Sequence, residues 1–241
     1  MSVQIVLIYQ SLLGIYGDRG NAAVLRQRLQ WRGIDAHVTV VEPGDTLPAD
    51  AQVYLLGGGE DQAQVSAVTA LRKDGNLFRA LDRGAALFAV CAGYQICGTS
   101  FTTGDNDDVV QGLGLLDIET RRGPKRAVGE ILTRWTRRDG RTSLITGFEN
   151  HGGLTTLGRQ AQPLAVVERG TGNGDGTEGA QAGRIIGTYP HGPVLARNPD
   201  LADHVLELAL GQRLAPLSHP EIQELRRQRV KAVRPDLVDA V

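Results

Sequence analysis

The chain is poor in cysteine, in lysine and in long apolar runs, and each shortage excludes something. Cys91 and Cys97 are its only cysteines. They are too few for a disulfide framework and, with no histidine pair at ligand spacing beside them, too few for a structural zinc site. Lys73, Lys125 and Lys231 are its only lysines, and none completes the Gly-x-x-x-x-Gly-Lys-Ser/Thr run of a phosphate-binding loop. No apolar run reaches the roughly 18 to 20 residues that span a bilayer. The opening Met1-Ser2-Val3-Gln4-Ile5 lacks the basic start of a signal peptide, so the expectation is a cytoplasmic protein. An excess of charge is missing too. Against 26 Lys and Arg stand 27 Asp and Glu, a net charge of −1, which offers no electrostatic footprint for nucleic acid or an anionic membrane.

What the 241 residues do contain is 41% hydrophobic side chains, enough to bury the core of a large single domain. The expected division is a main domain over residues 1–211 and a helical extension over 212–241. The first hundred residues alternate short apolar runs with amphipathic stretches, which predicts an α/β fold: an open, mostly parallel sheet flanked by helices. Strands are predicted at residues 3–9, 36–41, 52–56 and 86–90, rich in Val, Ile and Leu with little polar alternation. Helices are predicted at about 21–32, ended by Gly33, and at 77–83, closed by Gly84. From about residue 113 to 189 the texture turns β-rich, with strands predicted at 115–119, 128–132, 164–167 and 184–189. This half either extends the first sheet or packs a second one beside it. The glycine-rich residues 170–176 read as a flexible hairpin connection, and their acidic residues miss the EF-hand spacing. Helix returns after Pro199, and residues 221–234 read as a solvated terminal helix, with partner docking as the sharper alternative.

The strongest chemical signal is Ala86-Leu87-Phe88-Ala89-Val90-Cys91-Ala92-Gly93-Tyr94-Gln95. An apolar strand runs into small residues and then a helix, the pattern of a nucleophile elbow. It would present the Cys91 thiol at a helix N-terminus, where the thiolate is favoured. Cys97, deeper in that helix, reads as a packed thiol. Gly57-Gly58-Gly59-Glu60-Asp61 ends another predicted strand. Its glycines let a backbone N–H approach a reacting carbonyl, and Gly59 with Ala92 would form an oxyanion hole. Two later segments offer a base, Glu149-Asn150-His151-Gly152-Gly153 and Tyr189-Pro190-His191-Gly192-Pro193. His191 is the better candidate because it leaves a strand end, as Cys91 does. His37, His204 and His219 read as surface residues.

With its strand-Cys-x-Gly-x-Gln, earlier glycine-rich turn and late histidine, the chain resembles the class I glutamine amidotransferases, a fold with a flavodoxin-like core. Within them it is most similar to the cobyric acid synthase glutaminase branch and to glutaminase subunits of the lipid II isoglutaminyl synthase type. The resemblance also covers Tyr16-Gly17-Asp18-x-Gly20-Asn21 and Gly112-Leu113-Gly114, and so nearly the whole chain. It implies hydrolysis of L-glutamine, with Cys91 as nucleophile and His191 as base. Arg126, or alternatively Arg122, would hold the substrate's α-carboxylate, a planar fork suited to two oxygens. Gly58, Gln95, Asn150, Gly152 and Gly153 would complete the substrate site. The resemblance further implies no metal or cofactor in this chain. ATP and Mg would act on a Mur-ligase-like synthetase partner that amidates D-glutamate of the lipid II stem peptide. Cobyrinate or another ligase substrate is the rival acceptor, and a non-catalytic binding subunit of the same fold is the rival class.

One departure stands out. The family's usual Glu two residues after the base is Pro193 here. An imidazole with no orienting acceptor loses control of its tautomer, so the third group is absent, elsewhere in the chain, or on a partner. Supply by the partner is the expectation.

Overall fold

A computed structural model of the chain describes residues 2–14, 17–104, 106–137 and 139–240. Tyr16, part of the early motif, lies outside them. The first half runs β1 (Val3–Ile8), α1 (Gln10–Leu13), α2 (Arg19–Gln30), β2 (Ala36–Val41), β3 (Val53–Leu56), α3 (Asp61–Asp74), α4 (Asn76–Asp82), β4 (Ala86–Val90) and α5 (Ala92–Ile96). The second runs β5 (Ser100–Thr103), β6 (Asp108–Gln111), β7 (Ile118–Thr136), β8 (Thr142–Leu157), β9 (Ala165–Arg169), β10 (Thr177–Glu178), β11 (Ala180–Ala182) and β12 (Ile185–Thr188). Helices α6 (Val194–Arg197), α7 (Pro199–Leu210) and α8 (Pro220–Val233) complete the chain's main elements.

The main sheet has the order β11-β12-β4-β3-β1-β2. All neighbours are parallel except the edge strand β11. Every residue of β3 and β4 is buried, as expected for central strands covered on both faces, where the apolar run is continuous rather than alternating. All four predicted strands of the first half are present. Helix α3 was not foreseen. Its buried residues Gln64, Ala67, Val68 and Leu71 follow the i, i+3, i+4, i+7 spacing of an amphipathic helix, hidden behind a glycine-rich start.

The β-rich half does both things open to it. Strands β11 and β12 extend the main sheet, while a second sheet forms in the order β10-β9-β7-β5-β6, with β8 paired to β7. The two strands predicted at 115–119 and 128–132 are replaced by one, β7, of 19 residues. Gly123-Pro124 suggests a break, but the ladder absorbs it. Arg122 pairs with Gly153 and Ala127 with His151, so residues 123–126 bulge opposite Gly152 alone. A proline, lacking an N–H, is tolerated in a strand at such a bulge.

Helix α8 is not merely solvated. Its Val230 and Val233 pack on Leu132 and Leu144 of the long hairpin, and buried Arg226 donates to the Leu144 carbonyl at 3.0 Å. His204 and His219 are also less exposed than expected, lying 5.1 Å from the Trp135 ring and 4.2 Å from the Trp31 ring. Among the described residues no helix is long and apolar enough to cross a membrane.

Candidate active site

The carboxyl ends of β3, β4 and β12 lie side by side, and each delivers one of the singled-out segments. The register pairs Leu56 with Ala89 and Val90 with Thr188. Gly57–Gly59, Cys91 and His191 therefore leave the same edge of the sheet, where open parallel sheets place their sites.

Cys91 has φ 51° and ψ −106°, a left-handed backbone that a non-glycine residue adopts only when its surroundings hold it there. Here they do. The Cys91 N–H donates to the Thr188 carbonyl at 2.8 Å and the Gly93 N–H to the Gly57 carbonyl at 3.0 Å. A Cβ on Gly93 would stand 2.7 Å from Leu56 Cβ, so only glycine lets the turn approach β3. Helix α5 has only five residues and contributes the N–H groups of its first turn, Ala92 included, more than a long-range dipole. Cys97 is fully buried, and burial pushes its thiol pKa up, which keeps it an unreactive packed group.

His191 is buried, and its backbone pairs with that of Phe148 on β8. Burial works to lower its pKa, but hydrogen bonding with Asp18 and Cys91 and the charges of both outweigh this, and it is pushed up from 6.5 to about 9. His151 stands elsewhere. It stacks on Tyr189 at 3.7 Å, its Nδ1 donates to the Gly153 carbonyl at 2.8 Å, and its Nε2 lies 3.4 Å from Glu149 Oε2. Of the two candidate bases, His191 is the one joined to Cys91.

Asp18, in the early motif, was given no role by sequence reasoning. It is buried, its Oδ2 accepts the Gly58 N–H at 2.7 Å, and its Oδ1 lies 3.9 Å from His191 Nδ1. A buried carboxylate of the chain itself thus stands beside His191.

Beside Cys91 opens a cleft of about 400 Å³. Gly59, Gln95, Asn150, Gly152 and Gly153 line it, and so do both candidate arginines. Arg126 lies in the β7 bulge and Arg122 at its start. Arg126 Nε donates to Asn150 Oδ1 at 2.7 Å, and the Asn150 carbonyl lies 4.0 Å from Cys91 Sγ. Arg122 is turned aside to Asp107 at 2.5 Å and to the Gly104 carbonyl. Two predicted substrate contacts are occupied internally. The Gly58 N–H goes to Asp18, and the Gln95 amide bridges Gln64 at 2.6 Å and the Tyr189 hydroxyl at 3.3 Å. Gln95 therefore stiffens the wall it lines.

The glycine-rich connection is pinned rather than loose. Glu149 accepts the Thr171 and Gly172 N–H groups at 2.8 and 3.0 Å. Burial pushes its carboxyl up, but hydrogen bonds from His151, Gly172 and Thr171 outweigh it and lower the pKa.

Residues 4–199 match the CobB/CobQ-like glutamine amidotransferase domain. The chain belongs to that family. The lipid II isoglutaminyl synthase (glutamine-hydrolyzing) subunit GatD of Staphylococcus aureus (strain N315) is 34% identical to it, over 87% of this chain and 85% of that one. The GatD subunit of Streptococcus pneumoniae (strain ATCC BAA-255 / R6) is 28% identical over 88% and 82%. The cobyric acid synthase of Sphingopyxis alaskensis is 34% identical over 69% of this chain, which spans only 33% of that longer protein. Two solved structures share the fold. One is a glutamine amidotransferase (TM-score 0.56, 20% identity, 85% and 98% coverage) and the other the glutaminase domain of Trypanosoma brucei CTPS with bound acivicin (TM-score 0.53, 10% identity, 88% and 96% coverage). The CobB/CobQ-like match ends at residue 199, the first residue of α7, whose Leu201, Val205 and Leu206 pack into the main core, and α8 lies beyond the match.

Proposed function

We propose that this glutamine amidotransferase hydrolyses L-glutamine at Cys91 and passes the ammonia to an ATP-dependent, Mur-ligase-like synthetase subunit that amidates D-glutamate of the lipid II stem peptide. The observation that carries the glutaminase reading is the left-handed elbow at Cys91, joined to His191 and opening on the cleft lined by Arg126.

Arg126 binds the α-carboxylate of glutamine, with Asn150 and the backbone of Gly152 and Gly153 beside it. His191 takes the Cys91 thiol proton, and the thiolate attacks the side-chain amide carbon. The Gly59 and Ala92 N–H groups stabilise the resulting oxyanion, each such donor being worth roughly 100- to 1,000-fold in rate. The tetrahedral intermediate collapses with cleavage of the C–N bond, and ammonia leaves with the proton held by His191. His191 then deprotonates a water that hydrolyses the thioester, releasing glutamate and restoring the thiol.

Identity to two GatD subunits over most of their length supports the lipid II acceptor. On this reading the protein works in the cytoplasm and needs no cofactor of its own, ATP and Mg belonging to the synthetase. The test is reconstitution of the full chain with a Mur-ligase-like protein from the same organism. Glutamine-dependent amidation of lipid II, lost without either subunit, is the expected result. Amidation of cobyrinate instead would overturn the acceptor assignment and leave the glutaminase standing.

A further inference from the structure

The first turn of α2 converges on the segment that carries His191. Asn21 Oδ1 accepts the Leu195 N–H at 3.0 Å, and a Cβ on Gly20 would come within 2.2 Å of Pro193 Cγ. The turn is thus fitted to the residues just beyond the base. At its head Asp18 is 2% exposed, with Oδ2 on the Gly58 N–H at 2.7 Å and Oδ1 toward His191 Nδ1 at 3.9 Å. Asn21 Nδ2 stands 3.5 Å from the same Oδ1. A carboxylate this deeply buried is costly unless its oxygens are matched by donors or a cation. The groups on either side of it are the oxyanion loop and the candidate base.

We propose that Asp18 is the positioning carboxylate for His191, replacing within this chain the Glu that the family usually carries two residues after its base. It holds the neutral imidazole with its proton on Nδ1 and leaves Nε2 for the Cys91 thiol. Through Gly58 it also fixes the loop that presents the Gly59 N–H, so base and oxyanion donor are set by one side chain. The present 3.9 Å is an ion-pair distance. Catalytic hydrogen bonds are often this long without substrate and tighten in the Michaelis complex. Asp18 and Cys91 are the groups whose charges act on His191, so removing the Asp18 charge destabilises the imidazolium. The role of Asp18 rests on the glutaminase reading, and it opposes the expectation that a partner supplies the third group.

The test is ¹⁵N NMR of the histidine-labelled full chain, with His191 assigned by His191→Gln. The unmodified protein is expected to carry the neutral-state proton on Nδ1. Asp18→Asn is expected to move the His191 titration at least one pH unit downward and to lower kcat/KM for glutamine about 100-fold or more, mostly in kcat. A proton on Nε2 in the unmodified protein overturns the proposal, whether or not the variant folds. So does an unmoved titration with kcat/KM within twofold in Asp18→Asn. Absence of glutamine turnover in the reconstituted unmodified complex would instead overturn the glutaminase reading, on which the tautomer readout does not depend.

Discussion

The carbonyl oxygen of Thr188 accepts the amide hydrogen of Cys91 at 2.8 Å. That single bond ties the last residue of β12 to the residue that follows β4, and three residues beyond Thr188 comes His191. Cys91 and His191, the proposed nucleophile and base, are a hundred positions apart in sequence and neighbours because two parallel strands stop at the same level.

Arg126 and Arg122 separate in kinetics. Arg126→Ala is expected to raise KM for glutamine roughly 10- to 100-fold with kcat little changed. It removes a charge-assisted contact of about 1.5–3 kcal/mol made equally in ground and transition states. Arg122, engaged by Asp107 and Gly104, should change KM less than about threefold as Arg122→Ala. Steady-state ammonia release from both variants decides, and the opposite order would reassign the carboxylate site.

Stability should fall as pH rises, in two separable steps. Glu178 is fully buried, which pushes its pKa up from 4.5 to about 7 despite hydrogen bonds from the Tyr189 N–H and the Thr188 hydroxyl. A raised pKa means that its contribution is whole below pH 4.5 and is lost as pH rises through about 7, on the order of 3 kcal/mol. His191, raised to about 9, loses its contribution between about pH 6.5 and 9. Glu178→Gln, which keeps a neutral acceptor, should abolish the first step only and raise Tm at pH 8. Melting curves from pH 4.5 to 9 test this.

Overpacking the elbow should cost both stability and rate. A Cβ on Gly93 meets Leu56 Cβ at 2.7 Å and the Leu56 carbonyl oxygen at 2.8 Å. Gly93→Ala should therefore destabilise by roughly 1–3 kcal/mol and lower kcat by displacing Cys91. Urea denaturation together with kinetics checks it.

The C-terminal helix gives the contrasting case. Val230 is 1% exposed against Leu132 and Leu144, and truncation as Val230→Ala should cost about 2 kcal/mol. The same variant should leave kcat/KM for glutamine within twofold, because the helix docks away from the cleft. A loss of turnover at full folding would give α8 a part in the site.

Much of the site was legible because short parallel strands buried on both faces write themselves as continuous Val, Ile and Leu, and the turns at their carboxyl ends gather on one edge of the sheet. Cys91, Gly57–Gly59 and His191 were found that way. Asp18 was not, because its importance lies in a contact between residues 18 and 191 that no local pattern encodes. The engagement of Gly58 and Gln95 was hidden for the same reason. An N–H or an amide assigned to substrate can be taken first by a neighbour in the fold. The length of β7 escaped because Gly123-Pro124 marks a turn in sequence, whereas a bulge carries it through the ladder. The docking of α8 rests on few apolar residues, too sparse to stand out from a solvated helix.

The central claim is that Cys91 is the nucleophile of a glutaminase, and the most direct measurement is covalent capture by 6-diazo-5-oxo-L-norleucine, a glutamine-mimicking electrophile. Peptide mass spectrometry of the full chain, with and without the synthetase, should find one adduct, on Cys91. Glutamine should protect against it, and Cys91→Ala should show neither adduct nor ammonia release. Labelling of Cys97 instead, or ammonia release surviving in Cys91→Ala, would contradict the account.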